Sequence, residues 1–538
     1  MKVQSVRTVP THQGAAIRAG VTAVLLAVSV GSVALLDVIV RAAAIGDSDG
    51  ATVILEGQTM SAGHLLLPAW SLSLDSFWSV DAIFYAIAVH FFGVRGNLIF
   101  LVPAVIAAAV ILVAATMAMD RRISLAAGAG AFATIGVLAL PSRALAVYFV
   151  EGPFHVGTAL WCLLAFALLA RNSFDWRWGL AVLILAAGLL GDFQTVVLGE
   201  APILATGLVA TWCARRWRAA LPLLAAPFAA ALLAYAVRRV AVALGTFTIA
   251  PANPFASGHQ LIHNFLYIPR FFAALLGISG AFGPTGLPVE FEVVNVARAV
   301  LVLGGPLVVL VMICRRLLAA RETPMNPTRS ELLSSLVCFA FIGGLITFVI
   351  FPIVSSPAYA RYLNGALIFG ALLGGRVITD AVTGRSAKFV RSVAAGVAVI
   401  VVLFAVGVAF EVRGPRPVQP ATQLANFLEA HHLRHGVGAY WSAAITMVES
   451  SGSVQVRPVI EYGTHLVRYE KNSDSVWYAG VQFNYVVYDA QAPWGGVSKN
   501  SAISTWGRPS SVRVVGPYRV LVYAHPFTVS VDGWTGST

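Results

Sequence analysis

The stretch from residue 71 to residue 96, SLSLDSFWSVDAIFYAIAVHFFGVRG, places two carboxylates among aromatic side chains. From Val80 onward the apolar residues recur at helical spacing, which predicts a short amphipathic helix with Asp81 and Tyr85 on its other face. Asp75 would be rotated away from them. A carboxylate against apolar surface beside a bilayer is unfavourable unless it is paired or takes part in chemistry. Both acids are therefore candidate functional groups; alternatively, Asp75 caps a turn and Asp81 complements the positive end of the helix.

A second acidic pattern, Asp47-Ser48-Asp49, follows the first apolar segment directly. Paired carboxylates are hard oxygen ligands, so a divalent cation is the one cofactor that the residues suggest, with Asp47 and Asp49 as its ligands. A solvated loop is the ordinary alternative for so short a pattern. The cysteines, at positions 162, 213, 314 and 338, show no Cys-x-x-Cys spacing. They indicate neither a disulfide framework nor a zinc site.

Further polar residues lie at the ends of apolar segments and are candidates for a shared outer cavity. Glu151 and His155 occur in VYFVEGPFHVG, and Asp192 occurs in GLLGDFQTVVLGE. Glu151 and His155 are four residues apart, which also fits a local structural pair. Pro153 would disturb a regular helix between them.

Arginines near the outer ends of apolar segments supply the opposite charge. The candidates are Arg238, Arg239, Arg270 and Arg361. A guanidinium offers a planar fork of donors that matches phosphate oxygens. In SSPAYARYLNG, Arg361 stands between Tyr359 and Tyr362, which we add to the candidate cavity. For Arg238 and Arg239 the alternative is a side chain that reaches to lipid headgroups.

The elements that must position these side chains are membrane helices. Of the 538 residues, 58% are hydrophobic and 11% are charged, with a mean hydropathy of +0.80. Apolar windows of about 18 residues, enough to cross a bilayer core, recur along the first three quarters of the chain. We count about eleven, near residues 17–40, 97–119, 123–141, 154–170, 178–198, 201–214, 220–243, 296–314, 332–354, 362–381 and 392–411. The predicted fold class is a mainly α, polytopic membrane protein.

The distribution of basic residues predicts the orientation. With the N-terminus inside, the inner segments hold eighteen Lys and Arg residues, against eight in the outer segments before residue 412. Inner loops retain positive charge, so this asymmetry favours an N-in topology, and an odd number of spans places the C-terminus outside. The net charge of +12 then has a membrane explanation, and we expect no nucleic-acid partner.

Two long outer segments, about 41–96 and 245–295, are expected to carry the function on a rigid helical scaffold. The first apolar run exceeds a secretory h-region, so we expect an uncleaved first span. After Phe410 the Pro/Arg-rich linker EVRGPRPVQP leads into helix-like and strand-like patterns. We therefore predict a transmembrane domain, 1–411, and a small exported α/β domain, 412–538.

These features together resemble the C superfamily of glycosyltransferases, GT-C. The resemblance rests on the topology of residues 15–411 and on two sequence elements, LDSFWSVDAIFYAIAVHFFG and YARYL. The first element looks like the first outer loop of uncharacterised members from GC-rich bacteria. The resemblance implies a protein of the bacterial plasma membrane that uses a sugar on a polyprenyl phosphate as donor. The acceptor would be a hydroxyl on a glycan, lipid or protein.

The resemblance also implies roles for individual residues. A first-loop aspartate is typically the general base, which gives Asp75 or Asp81, with Asp49 as the third choice. Arg361 becomes the partner of the donor phosphate, which leaves with its lipid. Many relatives have an Asp-Glu pair soon after the first span, where this chain has Asp47-Ser48-Asp49. This departure leaves the identity of the base open.

Two other functions remain in competition at this point. A multipass transporter or lipid flippase would usually show paired repeats and ionisable groups near the midplane, whereas most carboxylates here cluster at one face. A noncatalytic envelope assembly protein would use the exported domain to bind a glycan or a partner. Its tryptophans, at positions 441, 477, 494 and 506, fit sugar stacking and fit a core equally well.

Overall fold

The computed structural model of the protein describes residues 12–120, 124–150, 152–153, 155–251, 255–278, 292–351, 357–414, 416–492 and 495–530. Helices build the part before residue 412. They are α1 (His12–Ala43), α2 (Ser48–Ser61), α3 (Ala82–Phe92), α4 (Leu98–Ala118), α5 (Leu125–Ala139), α6 (Arg143–Val150), α7 (Val156–Leu169), α8 (Trp176–Gly191), α9 (Ala201–Ala214), α10 (Leu221–Ala243), α11 (Gly258–Leu275), α12 (Glu292–Ala319), α13 (Arg329–Ile350), α14 (Asn364–Val382) and α15 (Ala387–Glu411). A π-helical turn, Val196–Glu200, precedes α9, and 3₁₀ turns at Trp217–Ala220 and Pro357–Leu363 precede α10 and α14.

Every predicted apolar window contains a helix, but the helices differ in length. Within the described residues, 7 helical segments are long and apolar enough to cross a membrane. They are Leu98–Ala118, Val196–Ala214, Trp217–Ala243, Val293–Ala319, Arg329–Ile350, Tyr359–Val382 and Ala387–Glu411. Helices α5 and α6 would add an eighth span, bent by 86° at the break between them. The predicted number of about eleven spans is therefore not confirmed by this criterion.

The shorter helices end at polar residues that the predicted windows did not anticipate. Helix α7 begins after His155, whose backbone lies in the left-handed region at φ 63°. Helix α8 ends at Asp192, whose backbone is extended. A continuous helix cannot contain either conformation. The chain therefore leaves its helices at the two positions where it presents a histidine and an aspartate.

The core of the helical part lies around α14, almost all of which is buried. This helix packs against α5, α12 and α13. A Cβ atom added to Gly130 in α5 would overlap the carbonyl group of Gly375 in α14. Such small residues let helix backbones approach closely, which is the usual source of packing between helices in lipid. The rigid centre of the molecule therefore depends on glycine in both helices.

The C-terminal part folds around a mixed sheet. Its strands are β3 (His435–Ala439), β4 (Gln455–Tyr462), β5 (His465–Arg468), β7 (Phe483–Asp489), β8 (Ser511–Val515) and β9 (Tyr518–Phe527), in the order β5-β4-β3-β7-β9-β8. Its helices are α16 (Pro420–Ala430), α17 (Tyr440–Glu449) and α18 (Lys499–Trp506). Helix α17 follows β3 directly and packs against α2. The predicted division at residue 412 stays a prediction.

A second sheet joins three distant parts of the sequence. Strand β1 (Trp70–Leu72) lies between β2 (Thr248–Ile249) and β6 (Ser473–Asp474). Ser71 pairs with Thr248 on one side, in parallel, and with Ser473 on the other, antiparallel. The two long outer segments and the C-terminal part are thus held together by main-chain hydrogen bonds. The segment that follows β1 carries Asp75.

Candidate active site

A cavity of about 240 Å³ lies where these segments meet. Its walls come from α2, the loop after β1, the start of α7, the turn before α14 and the C-terminal part. The polar side chains that line it are Asp49, Thr52, Glu56, Ser73, Asp75, Ser76, His155, Gln194, Thr347, Arg361, Tyr362, Lys471 and Asn472. Acids, a histidine and cations therefore share one cavity, which includes the predicted Asp49, Asp75, His155, Arg361 and Tyr362.

Asp75 is held in the cavity wall by a loop that is fastened to the end of α8. The Ser73 hydroxyl donates to the Asp75 carbonyl oxygen at 2.7 Å. The Phe77 amide donates to the Gly191 carbonyl at 2.6 Å, and Phe77 itself takes a left-handed backbone with φ 52°. The Ser76 hydroxyl reaches the same carbonyl at 3.3 Å. The position of Asp75 is thus set by main-chain bonds rather than by a helix.

Asp192 lies immediately behind this loop and holds His155. Its Oδ2 atom is 2.7 Å from Nδ1 of His155 and also accepts a hydrogen bond from the Thr158 hydroxyl. Its Oδ1 atom accepts from the Gln194 amide at 2.8 Å. Both His155 and Asp192 are buried. A carboxylate at Nδ1 fixes the tautomer and the orientation of an imidazole, so this pair has the form of an oriented histidine.

Aromatic rings enclose the histidine on two sides. The His155 ring centre lies 5.4 Å from that of Phe77 and 5.4 Å from that of Tyr362. Tyr362 stacks in turn on Phe351, with ring centres 4.0 Å apart. Tyr359 lies 6.3 Å from Tyr362 and outside the cavity lining. Of the two predicted tyrosines, Tyr362 is the one that the structure brings to the cavity.

The surroundings of Asp75 change its acidity. Burial and the negative charge of Asp192 raise the pKa of Asp75 to about 7, while His155 acts in the opposite direction. A group whose pKa lies near the working pH is well matched to accept a proton in a reaction. Asp75 therefore lines the cavity with a carboxyl group that can accept a proton near neutral pH.

Asp81 takes a different place from Asp75. Only 2% of it is exposed, it lies against Gly157, and it is not among the described residues that line the cavity. Its Oδ2 atom has no hydrogen-bond partner among the described residues. Burial and the charge of Asp192 raise the pKa of Asp81 to about 8. At neutral pH its side chain is mainly an uncharged acid inside the wall.

The predicted partner of Asp81, Tyr85, is also inside the wall. Its side chain is fully buried and its backbone packs against Gly57 of α2. The helix that carries it, α3, begins where the sequence pattern predicted. Asp81 stands at the N-terminal end of α3, the end whose positive charge it was expected to complement, and its side chain makes no capping hydrogen bond within the described chain.

The Asp-x-Asp pattern is divided between two tasks. Asp47 caps α2, with its Oδ1 accepting from the Gly50 amide at 2.9 Å. Oδ1 of Asp49 accepts from the Tyr440 hydroxyl at 2.8 Å, and its Oδ2 lies 3.8 Å from Nη1 of Arg361. Both carboxylates already have protein partners. Asp47 and Asp49, which were predicted to bind a cation together, therefore do not form an open cation site.

A different group of side chains is close enough to hold a cation. Ligand atoms of Asp75, His155 and Asp192 all lie within 4.8 Å of one another. However, the oxygens of Asp192 already accept hydrogen bonds from His155, Thr158 and the Gln194 amide. These bonds describe an oriented histidine rather than an open metal site. The residues therefore do not fit a resident metal.

The four predicted arginines are separated by the structure. Arg361 lines the cavity, and its guanidinium lies 5.5 Å from the ring centre of Tyr362. Arg238 lies 4.5 Å from the ring centre of Phe247, and Arg270 lies 5.6 Å from that of Tyr267. Neither of them, nor the exposed Arg239, is among the described residues of the lining. The arginine that meets the carboxylates is Arg361.

The sequence did not indicate several functional residues. Glu56, Lys471 and Asn472 line the cavity, and Tyr440 holds Asp49 by a hydrogen bond; none of these four residues was predicted. A signal existed for Glu56, a lone acid in the apolar run ATVILEGQTM, and burial raises its pKa well above the ordinary value. The other three come from the C-terminal part, and no local pattern links them to the first outer loop. Glu151 lies outside the described residues.

Comparison with known proteins rests on structure alone. No family model matches the sequence, and no curated protein gives a significant match. Solved structures do match. ArnT from Cupriavidus metallidurans in the apo state gives a TM-score of 0.53 at 12% identity, covering 94% of this chain and 98% of that one. The same protein bound to undecaprenyl phosphate gives 0.51 at 11% identity, with 93% and 98% covered.

The chain has the fold of ArnT. The match extends over nearly all of both proteins. It confirms the predicted resemblance and the predicted fold class, a mainly helical membrane protein with a small C-terminal α/β part. At this level of identity it concerns the fold and not the chemistry. The number of spans and the orientation of the chain in the membrane stay predictions.

Proposed function

We propose that this protein is a membrane glycosyltransferase that moves a sugar, hexosyl or pentosyl, from a polyprenyl-phosphate donor to a hydroxyl acceptor. The observation that carries the proposal is the presence of Asp75 and Arg361 in one cavity of a GT-C fold. A proton acceptor and a phosphate ligand are the two groups that such a transfer requires. A solved protein of this fold was crystallised with undecaprenyl phosphate.

In the proposed reaction Asp75 is the general base. The acceptor oxygen attacks the anomeric carbon of the sugar and forms the new C–O bond while its proton passes to the Asp75 carboxylate. The bond between that carbon and the phosphate oxygen breaks at the same time, and both its electrons leave with the lipid phosphate. Attack on the face opposite the leaving group inverts the configuration of the sugar. Of the predicted bases, Asp81 is enclosed in the wall and Asp49 is held by Tyr440 and Arg361.

Arg361 is the proposed ligand of the leaving phosphate. Its guanidinium lies beside Tyr362 and 3.8 Å from Asp49, so it is positioned before the donor arrives. Preorganised donors stabilise charge that develops in a transition state better than mobile ones do. The Asp49 carboxylate, fixed in turn by Tyr440, would then act as a positioning residue for Arg361.

The proposed location is the outer face of a bacterial plasma membrane. Support comes from the asymmetry of Lys and Arg along the sequence, which favours outer positions for the segments that build the cavity. The apolar helices supply the membrane anchor, and the lipid chain of the donor would lie among them. The acceptor is a hydroxyl on a glycan, a lipid or a protein, and the C-terminal part would face it from outside.

The test is transfer by the purified full-length protein in detergent, with labelled polyprenyl-phosphate sugars and candidate acceptors. Asp75→Asn should lower the turnover number about 10²–10⁴-fold, the usual contribution of a general base. Asp81→Asn is the matched control, because it changes an uncharged buried acid in the same loop, and it should keep most of the activity. Full turnover by Asp75→Asn would exclude it as the base. Flux of the lipid-linked sugar into proteoliposomes without transfer would instead favour the flippase.

A further inference from the structure

We infer that Lys471, in the C-terminal part of the chain, binds an anionic group of the substrate, so that this part completes the binding site. The inference rests on the proposed function, because it assigns a ligand to the same cavity. Lys471 is distant in sequence from the first outer loop. Its neighbour Asn472 lies 399 residues after Ser73, to which it is hydrogen-bonded. Neither the sequence patterns nor the fold match points to it.

The segment that carries Lys471 is built into the wall of the cavity. Strand β6 pairs with β1, and Ser71 faces Ser473 across this ladder. Beyond the ladder, the Ser475 amide donates to the Ala69 carbonyl at 3.0 Å. On the other side, the Ser73 amide donates to Oδ1 of Asn472 at 3.0 Å. The chain around Lys471 is thus fixed to the loop that holds Asp75.

The turn itself is held in an unusual conformation. Asn472 has a left-handed backbone, with φ 54°. Its Nδ2 group donates to the Tyr440 hydroxyl at 3.3 Å, while the Ser473 hydroxyl donates to the carbonyls of Tyr469 and Glu470 at 2.7 and 2.9 Å. A strained turn persists only where the surrounding structure determines it. This turn places the lysine side chain at the cavity in a defined way.

Lys471 forms no ion pair in the part of the chain that the structure describes. It is half-buried and lines the cavity, yet it forms no ion pair and no hydrogen bond with any residue that the structure describes. Arg361, the other cation of the lining, lies near Asp49. A half-buried ammonium loses water and side-chain freedom, which is unfavourable unless a ligand compensates for it. The geometry points to an anion that Lys471 binds in the cavity that Arg361 also lines.

The class of ligand follows from the side chain. A compact ammonium group binds a phosphate or a carboxylate as a point charge, whereas a guanidinium binds it as a planar fork. The ammonium group of Lys471 and the guanidinium of Arg361 could both bind one anion in this cavity. The anion is either the phosphate of the lipid carrier or an acidic group on the acceptor, and these two sources are distinguished by the experiment.

The experiment compares the wild type with Lys471→Met and with Lys499→Met, both in the full-length protein in detergent. Lys499 is the matched control, an exposed lysine at the start of α18. Titration with undecaprenyl phosphate measures donor-side binding, and transfer with varied acceptor measures acceptor KM. A bond to a charged group corresponds to a change of about 10- to 100-fold. We expect Lys471→Met to weaken the undecaprenyl phosphate complex by this factor, while Lys499→Met has no effect.

The two measurements, lipid binding and acceptor KM, distinguish the two sources of the anion and test the inference. Unchanged lipid binding with an acceptor KM raised about tenfold would assign Lys471 to an acid on the acceptor. If neither quantity changes in Lys471→Met, the inference is wrong. Lys471→Arg should recover part of the affinity, which a merely structural defect would not allow. A wild type that binds undecaprenyl phosphate but transfers no sugar would refute the proposed function, while the binding arm would still decide the role of Lys471.

Discussion

We expect the kcat/KM of sugar transfer to rise about tenfold when the pH increases from 6 to 8. The reason is the acidity of Asp75, whose pKa is raised to about 7 by burial and by the charge of Asp192. A general base must be deprotonated to act, so activity increases as the pH passes upward through its pKa. With the ordinary value of 3.8, the same base would be ionised throughout this range and the profile would be flat.

The magnitude follows from the ionised fraction. A carboxyl group with a pKa of about 7 is about 9% deprotonated at pH 6 and about 91% at pH 8, a ratio of about ten. The charged groups around Asp75 act in both directions: Asp192 raises its pKa and His155 lowers it. Because the Asp192 carboxylate is held by several donors, we expect it to stay ionised across the range.

The assay is initial-rate transfer of labelled sugar at donor concentrations below KM, in buffers of constant ionic strength from pH 5.5 to 8.5. Asp75→Asn should remove the rise and leave a low residual rate that is independent of pH. Asp81→Asn should keep the profile of the wild type. A rise that persists in Asp75→Asn would assign the titration to another group, His155 first, and would refute the reasoning.

Three further predictions concern the phosphate ligand, the metal and the core. Arg361→Ala should weaken the binding of undecaprenyl phosphate at least about tenfold, whereas the exposed Arg239→Ala should not, as titration in detergent would show. EDTA should leave transfer unchanged, since the Asp192 oxygens already accept hydrogen bonds; activity lost and then restored by a divalent cation would contradict this. Gly130→Leu should prevent the recovery of monodisperse protein on size exclusion, because its side chain would overlap α14, while Gly128→Leu, with open space around it, should be tolerated.

The membrane helices could be predicted because their signal is local. A long window of apolar residues predicts a helix by itself, because a backbone in lipid must satisfy its own hydrogen bonds and a helix does so within one segment. For the predicted spans at α7 and α8, which are too short to be confirmed, the cause is a change of backbone conformation at single polar residues, His155 and Asp192. A hydropathy window averages over such a residue and passes through it.

The sequence could not predict that Asp75 lines the cavity while Asp81 is buried in its wall. The periodicity after Val80 correctly gave the helix α3, but it carries no information about which surface covers the face that holds Asp81. That surface is α7, at Gly157, and it is distant in sequence. Burial, rather than spacing, decides which of the two acids reaches the cavity.

Residues contributed by the C-terminal part lie beyond any local pattern. Tyr440 and Asn472 act through contacts with Asp49 and Ser73, and nothing in their own neighbourhoods marks them. Arg361 was recognisable because adjacent tyrosines and the end of an apolar segment mark it locally. In the described lining of the cavity, the C-terminal part contributes Lys471 and Asn472, which no local pattern indicated.

The three-stranded sheet has a consequence for the order in which the molecule is made. Strand β1 emerges early in synthesis, but Ser73 must wait for Asn472, 399 residues later, before its amide is paired. At translation rates of about 5–20 residues per second, the delay is on the order of 20–80 s. A nascent or truncated chain can thus insert its helices while the loop that carries Asp75 is still unfinished. Under the proposed function, we expect sugar transfer to begin only after the C-terminal part has folded, so that an incomplete chain does not consume the donor.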